Sequence, residues 1–228
     1  MNQNPVVEKT SGITKFYSKV YGFLGLGLAI SAATSYVVLI PLRATVLPAI
    51  LSNPLLFWGL WIVQLGLVVY LGKTAFSDSS KSLVGFIAYS VLTGITISMT
   101  LAMYSQGAII RAFVTASAMF IAMSLIGIFT KKDLSGIGYA LRSLVIGVII
   151  GILLNAFLLK SAPVDYFITL AMVVIFSGLI ATDNQKIKAI YNEYGDKGAS
   201  GLAIYCALTL YLDIVNLFLS LVRIFGRD

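Results

Sequence analysis

The sequence predicts an all-α integral membrane protein, a bundle of seven transmembrane helices. Three observations lead there: too few charges for a water-facing surface, seven long apolar runs, and turn-forming residues between the runs. Of the 228 residues, 59% are hydrophobic and 11% charged, with a mean hydropathy of +0.96. Soluble domains carry about 25% charged residues, so only a bilayer solvates this composition.

A spanning helix needs ~20 apolar residues to cross a hydrocarbon core about 30 Å thick. Uncharged runs meet or approach this length at 20–40, 55–72, 83–104, 112–130, 143–159 and 166–182. A seventh, 199–222, is long enough but holds Asp213 near its middle. The fifth and sixth runs are short, so each is expected to extend through a flanking polar residue, Arg142 and Asp183 respectively. Pro41, Pro48 and Pro54 bracket the first loop, Ser77 to Ser80 mark the second, Lys131-Lys132-Asp133 the fourth, and Pro163 precedes the sixth helix. Glu193 to Gly201 reads as the longest polar loop. No internal repeat or second domain is evident. Residues 1–19 form an N-terminal tail, polar and unlike a signal peptide, and residues 20–228 a single seven-helix transmembrane domain.

With the N-terminus on one face, that face receives 11 of the 16 Lys and Arg residues. Arg43, Arg111, Lys160, Arg223 and Arg227 fall on the other. Positive charge accumulates on the inner side of a membrane, so the N-terminus is expected in the cytoplasm and the C-terminus outside, in the cell (inner) membrane. Trp58, Trp61, Tyr70, Tyr104 and Tyr166 fit an interfacial belt. Gly147 and Gly151, four apart, would permit close helix approach. The net charge of +7 is scattered between apolar runs with no basic patch, which argues against nucleic acid as a partner.

The residue inventory narrows the chemistry. There is no histidine, which excludes His catalysis, His metal sites and imidazole pH sensing. Cys206 is the single cysteine, so neither a disulfide nor a thiolate cluster forms within the chain. No cofactor is expected, and no enzymatic site. Of nine acidic residues, Glu8, Asp78, Asp133, Asp165, Glu193, Asp196 and Asp228 fall in tails or loops, where a solvated charge has no special meaning.

Asp213 is different, because a charge near the bilayer centre costs several kcal/mol and must face the bundle interior, a partner or water. Asp183 lies towards the expected cytoplasmic end of the sixth helix. With that helix ending near Ile190 and the seventh starting near Ala203, the two aspartates sit roughly 10 and 15 Å deep, within a turn of each other. Two close carboxylates in a poorly solvated site do not both ionise cheaply and titrate as a pair. The pair is the best candidate for a pH switch, and also a weak, transient site for Ca²⁺. That ion takes 6–8 oxygens when held firmly, and loose holding suits conduction. Lys73 and Arg142 are the nearest cations able to latch the pair. Asn216, three residues after Asp213, shares its helical face. Asn155, Asn216 and Gln64 read as supporting polar residues that hydrogen-bond between helices.

These residues carry a resemblance. Phe176-Ser-Gly-Leu-Ile-Ala-Thr-Asp183-Asn-Gln-Lys-Ile-Lys188 is similar to a motif of the Bax inhibitor-1 (transmembrane Bax inhibitor motif) family. The same holds for Ala207-Leu-Thr-Leu-Tyr-Leu-Asp213-Ile-Val-Asn216, continuing to Arg223-Ile-Phe-Gly226. Thr130 to Gly136 and Leu92-Thr-Gly-Ile-Thr96 look like the bacterial branch, and the likeness runs from about Gly12 onward. The resemblance implies a seven-helix fold with the C-terminal helix central, and a pH-sensitive calcium leak gated by the aspartates matching Asp183 and Asp213. In one respect the chain departs. The family's latch is an arginine cluster at the end of the second helix, where this sequence has Lys73 and no arginine, so no bidentate lock forms from there.

Two other functions compete with a calcium leak channel. One is a non-transporting regulator that binds membrane proteases or other membrane proteins. The other is an intramembrane aspartyl protease, but those enzymes resemble one another in Gly-x-Gly-Asp and Pro-Ala-Leu elements. Here Leu210-Tyr-Leu-Asp213 replaces the first, and the second has no counterpart.

Overall fold

A computed structural model describes the backbone of residues 5–76, 78–195 and 199–227, and side chains from residue 12 onward except that of Ala199. Ser77, Asp196, Lys197, Asp228 and the side chains of Glu8 and Lys9, read above as loop or tail features, lie outside the described residues. The described chain forms helices α1 (Pro5–Leu39), α2 (Arg43–Leu51), α3 (Pro54–Thr74), α4 (Ser79–Leu101), α5 (Gln106–Phe129), α6 (Ser135–Leu154), α7 (Ala162–Tyr194) and α8 (Ala199–Phe225). Seven of them are long and apolar enough to cross a membrane, α2 being the short one. The last is the most buried, with 61% of its apolar stretch inside the protein, against 6% for the span that begins with α6.

Local chemistry sets the helix starts. Asn53 accepts the backbone N–H groups of Leu55 and Leu56 at 3.0 and 3.4 Å, with Pro54 at the first helical position of α3. Asp78 accepts from Ser80 and Lys81 at the start of α4, at 3.0 and 3.1 Å. The Ser105 hydroxyl accepts from Ala108 at the start of α5. As expected, the fifth and sixth spans run through Arg142 and Asp183.

Other expectations are corrected. The segment between Pro41 and Pro54 holds helix α2, although Pro48 sits inside it and gives up one backbone hydrogen bond. Leu47 and Ile50 of α2 are buried with Val38 and Met99, and this apolar face offsets the loss. The first helix starts at Pro5 and is continuous across residue 19, with Phe16 buried, so no structural break separates a tail from the first span. Helix α7 runs on to Tyr194, past the Ile190 used for the depth argument, and α8 starts at Ala199, where the seventh apolar run begins and four residues ahead of Ala203. Nothing lies within 4 Å of a Cβ added at Gly147, and Gly151 makes only ordinary contact with Ile168, so this glycine pair brings no helices together.

The chain groups into two compact units, Met1–Met103 with Lys188–Tyr211 and Tyr104–Ile187 with Leu212–Asp228. In the first unit α1 and α4 pack closely. A Cβ on Gly94 would fall 2.7 Å from the Ser31 carbonyl, and Ser35 Oγ donates to the Gly94 carbonyl at 2.6 Å. Tyr211 is fully buried there, its hydroxyl 2.5 Å from Ser31 Oγ and its ring edge-on to Phe86 and Tyr89. Gln64 of α3 accepts from Thr93 of α4 at 3.4 Å, a helix-to-helix bond as read from the sequence.

Candidate functional site

The second unit holds the site. Helix α7 packs on α5 and α6 through glycines that leave no room for a methyl group. A Cβ on Gly127 of α5 would fall 2.1 Å from the Ala181 carbonyl and 2.9 Å from Asn184 Cβ. One on Gly178 of α7 would fall 2.6 Å from Leu141 of α6. Gly138 of α6 faces Thr182, and the Arg142 guanidinium folds back to within 3.7 Å of the same point. These approaches fix α7 against its neighbours at the level of Asp183.

Arg142 then donates from Nη2 to Asp183 Oδ1, forming an ion pair between α6 and α7. The pair is lopsided, with 7% of the Asp183 side chain exposed and 41% of Arg142. Asn184, fully buried, donates to Ser124 Oγ at 3.1 Å and to the Ile180 carbonyl at 2.7 Å. Gln185 fastens the α5–α6 connection. Its Oε1 accepts the Leu134 N–H and its Nε2 donates to the Lys132 carbonyl, both at 2.8 Å. Asp183, Asn184 and Gln185 thus bind α6, α5 and the connection between them.

Asp213 lies mid-way along α8 and is 5% exposed. The charges acting on it are those of Asp183 and Arg142, so the three groups form one electrostatic cluster. Its Oδ2 atom is buried without a hydrogen-bond partner among the described residues. The cluster has two carboxylates and one cation.

The other nominated residues divide. Lys73, in the last turn of α3, is exposed, belongs to the first unit and forms no ion pair among the described residues. Asn155 was read as bonding between helices but instead closes a local turn. It begins a π-helical segment, Asn155–Leu159, and exchanges two hydrogen bonds with the Ser161 backbone at 3.0 and 3.1 Å. Asn216 likewise donates within its own helix, to the Leu212 carbonyl at 2.8 Å. Among the described residues no cluster of three or more acidic or cysteine side chains exists, so the aspartates offer a cation two carboxyl groups and no more.

The far end of α8 is also tied down. Arg111 donates to the Phe225 carbonyl at 3.2 Å. Arg227 pairs with Asp165 and lies 4.9 Å above the Tyr166 ring. Asp165 is therefore a structural partner where a merely solvated loop acid was expected.

A family model described as inhibitor of apoptosis-promoting Bax1 matches residues 13–228. The chain belongs to the Bax inhibitor-1 family. Among similar proteins, YrjE of Lactococcus lactis is 42% identical, over 99% of this chain and 97% of its own. A protein of Streptococcus pyogenes serotype M1, named an uncharacterized membrane protein, is 38% identical over the whole of both chains. The Escherichia coli K12 inner membrane protein YbhL is 37% identical, over 97% of this chain and 95% of its own. With seven membrane-length helices, this member of the family is a multi-pass membrane protein.

Neither Asn184 nor Gln185 was singled out from the sequence. The available signal was the uncharged polar pair directly after an aspartate within an otherwise apolar helix. Gly127, Gly138 and Gly178 gave no such signal, because no regular spacing relates them.

Proposed function

We propose that this protein is a pH-sensitive Ca²⁺ leak pathway of the inner membrane, without enzymatic activity, whose N-terminus is cytoplasmic and C-terminus external. Asp183 and Asp213 act as the gate and as the passing ion's transient ligands, with Arg142 as the latch. The observation that carries this reading is Asp213 Oδ2, buried without a hydrogen-bond partner among the described residues and within electrostatic reach of the carboxylate that pairs with Arg142. One cation balances one carboxylate, and the other must take a proton or a metal cation in so poorly solvated a place. Proton and Ca²⁺ thereby compete for one group, which makes the flux depend on pH. Arg142, supplied by α6, takes the role that the family's second-helix arginine would fill.

The test is Ca²⁺ entry into dye-loaded liposomes containing the purified protein. Asp213→Asn and Asp183→Asn are each expected to alter the flux and flatten its pH profile. Unchanged flux and an unchanged profile in both variants would defeat the proposal. Silent liposomes together with a stoichiometric membrane protein recovered by crosslinking would favour the regulator instead.

A further inference from the structure

The span that delivers Arg142 ends irregularly. Helix α6 is regular to Leu154, and Asn155–Leu159 then winds as a π-helix. The Lys160 N–H reaches back five residues to the Asn155 carbonyl at 2.7 Å, where an α-helix would reach back four. The Lys160 backbone is left-handed, with φ 47° and ψ 38°, the one non-glycine residue so placed among the described residues. A lysine gains nothing from that conformation, so its surroundings must impose it. Asn155 does so. Its Nδ2 donates to the Ser161 carbonyl at 3.1 Å, and its Oδ1 accepts the Ser161 N–H at 3.0 Å. One side chain thus satisfies both backbone groups of the residue just ahead of α7 and closes the π turn.

A π turn takes in one residue more than an α turn. If Asn155–Leu159 wound as α-helix with α7 held in place, the whole of α6 before it would turn by roughly 100° and advance by roughly 1.5 Å, one residue of register. Each residue would then stand where its predecessor stands now. Ser143 would face Asp183 in place of Arg142, and Tyr139 would face Thr182 in place of Gly138. A Cβ on Gly138 already lies 3.3 Å from Thr182 Cβ, so a tyrosine there forces α6 off α7. Lipid offers the turning helix little resistance, because Gly138 is the one buried residue of Ser135–Leu154.

We infer that the π turn closed by Asn155 sets the register of α6, and that its relaxation to α-helix is the step that withdraws Arg142 from Asp183. Asn155 is thereby a positioning residue, acting on the ion pair from roughly 20 Å along the helix. The consequence for flux rests on the leak reading, whereas the register does not.

Cysteine pairs read the register in liposomes, in a Cys206→Ala background. Gly138→Cys with Thr182→Cys reports the register seen here, its Cβ separation being close to that of a disulfide. Tyr139→Cys with Thr182→Cys reports the shifted one. Copper-catalysed oxidation is expected to link the first pair faster. Adding Asn155→Ala is expected to raise the rate of the second pair relative to the first at least about fivefold, the weight of two hydrogen bonds at the low end. In protein without added cysteines, Asn155→Ala is expected to raise Ca²⁺ flux. Deleting Leu158, an exposed residue of the π segment, removes the extra residue and keeps Arg142 in place. On that background Asn155→Ala is expected to change neither the ratio nor the flux, a rescue that a merely stabilising side chain would not show. An unchanged ratio in Asn155→Ala, or a ratio that changes as much after the deletion, overturns the register device. A shifted ratio with constant flux, where Arg142→Gln does alter flux, overturns its part in gating. A shifted ratio with flux indifferent to Arg142→Gln as well keeps the register and defeats the leak reading.

Discussion

Arg142 of α6 reaches across to Asp183 of α7 and pairs a half-exposed guanidinium with a buried carboxylate. Removing the cation costs the acid its ion-pair partner. Arg142→Gln is expected to lower stability by about 1–2 kcal/mol, less than a fully buried pair would lose because the arginine retains solvent contact. Thermal unfolding in detergent measures the loss. Arg142→Lys is expected to recover part of it, since an ammonium supplies the charge without the planar fork. In liposomes, Arg142→Gln is expected to raise basal Ca²⁺ flux.

The glycine contacts give a matched pair of substitutions. Gly127→Ala puts a methyl group where the Ala181 carbonyl already lies, so α5 and α7 must separate. A loss of about 1–3 kcal/mol is expected, typical of overpacking. Gly147→Ala meets nothing within 4 Å and is expected to be neutral or stabilising by up to about 1 kcal/mol, through helix propensity alone. Equal effects in the two variants would contradict the packing described.

Gln185 holds the α5–α6 connection by two hydrogen bonds. Gln185→Ala is expected to cost about 1–2 kcal/mol and to speed amide exchange at Leu134 while leaving exchange in α8 unchanged. Gln185→Glu retains the acceptor for Leu134 but sets a negative charge against the Lys132 carbonyl, so it rescues only in part.

Outside the membrane, the Lys81 backbone N–H, with the Lys81 ammonium and the Ser80 N–H, holds the Asp78 carboxyl below its ordinary range. The Ser135 N–H and hydroxyl do the same for Asp133. A carboxylate depressed in the folded state contributes stability at pH above its unfolded value and loses that contribution as pH falls through the folded one. Protection of the first turn of α4 is therefore expected to fade as the medium is acidified through the carboxylate range. Asp78→Asn is expected to remove that dependence, as followed by amide exchange at Ser80 and Lys81.

The seven spans were legible because bilayer thickness imposes a length that composition reveals directly. Asp213 was legible for the same reason, as a charge where charge is expensive. Helix α2 was hidden by Pro48 within it and by Pro41 and Pro54 on either side, which signal a break whenever no buried face is known to offset the missing hydrogen bond. The regular pair Gly147 and Gly151 attracted attention while the scattered Gly127, Gly138 and Gly178 made the contacts. Spacing along one helix does not tell which side another helix occupies. Of the two cations considered for the latch, Arg142 meets an aspartate, a choice that depends on how α6 faces α7 and is not written in either helix alone.

Helix α6 contributes one buried residue, Gly138, within Ser135–Leu154, yet it delivers the guanidinium that neutralises Asp183. Apart from its contacts with α7, most of its surface is therefore open to acyl chains. A helix surrounded by lipid tilts or shifts when hydrocarbon thickness changes, at a fraction of a kcal/mol per Å. Membrane thickness thus becomes an input to the ion pair, and the protein is expected to respond to short-chain and long-chain lipids differently even at constant pH.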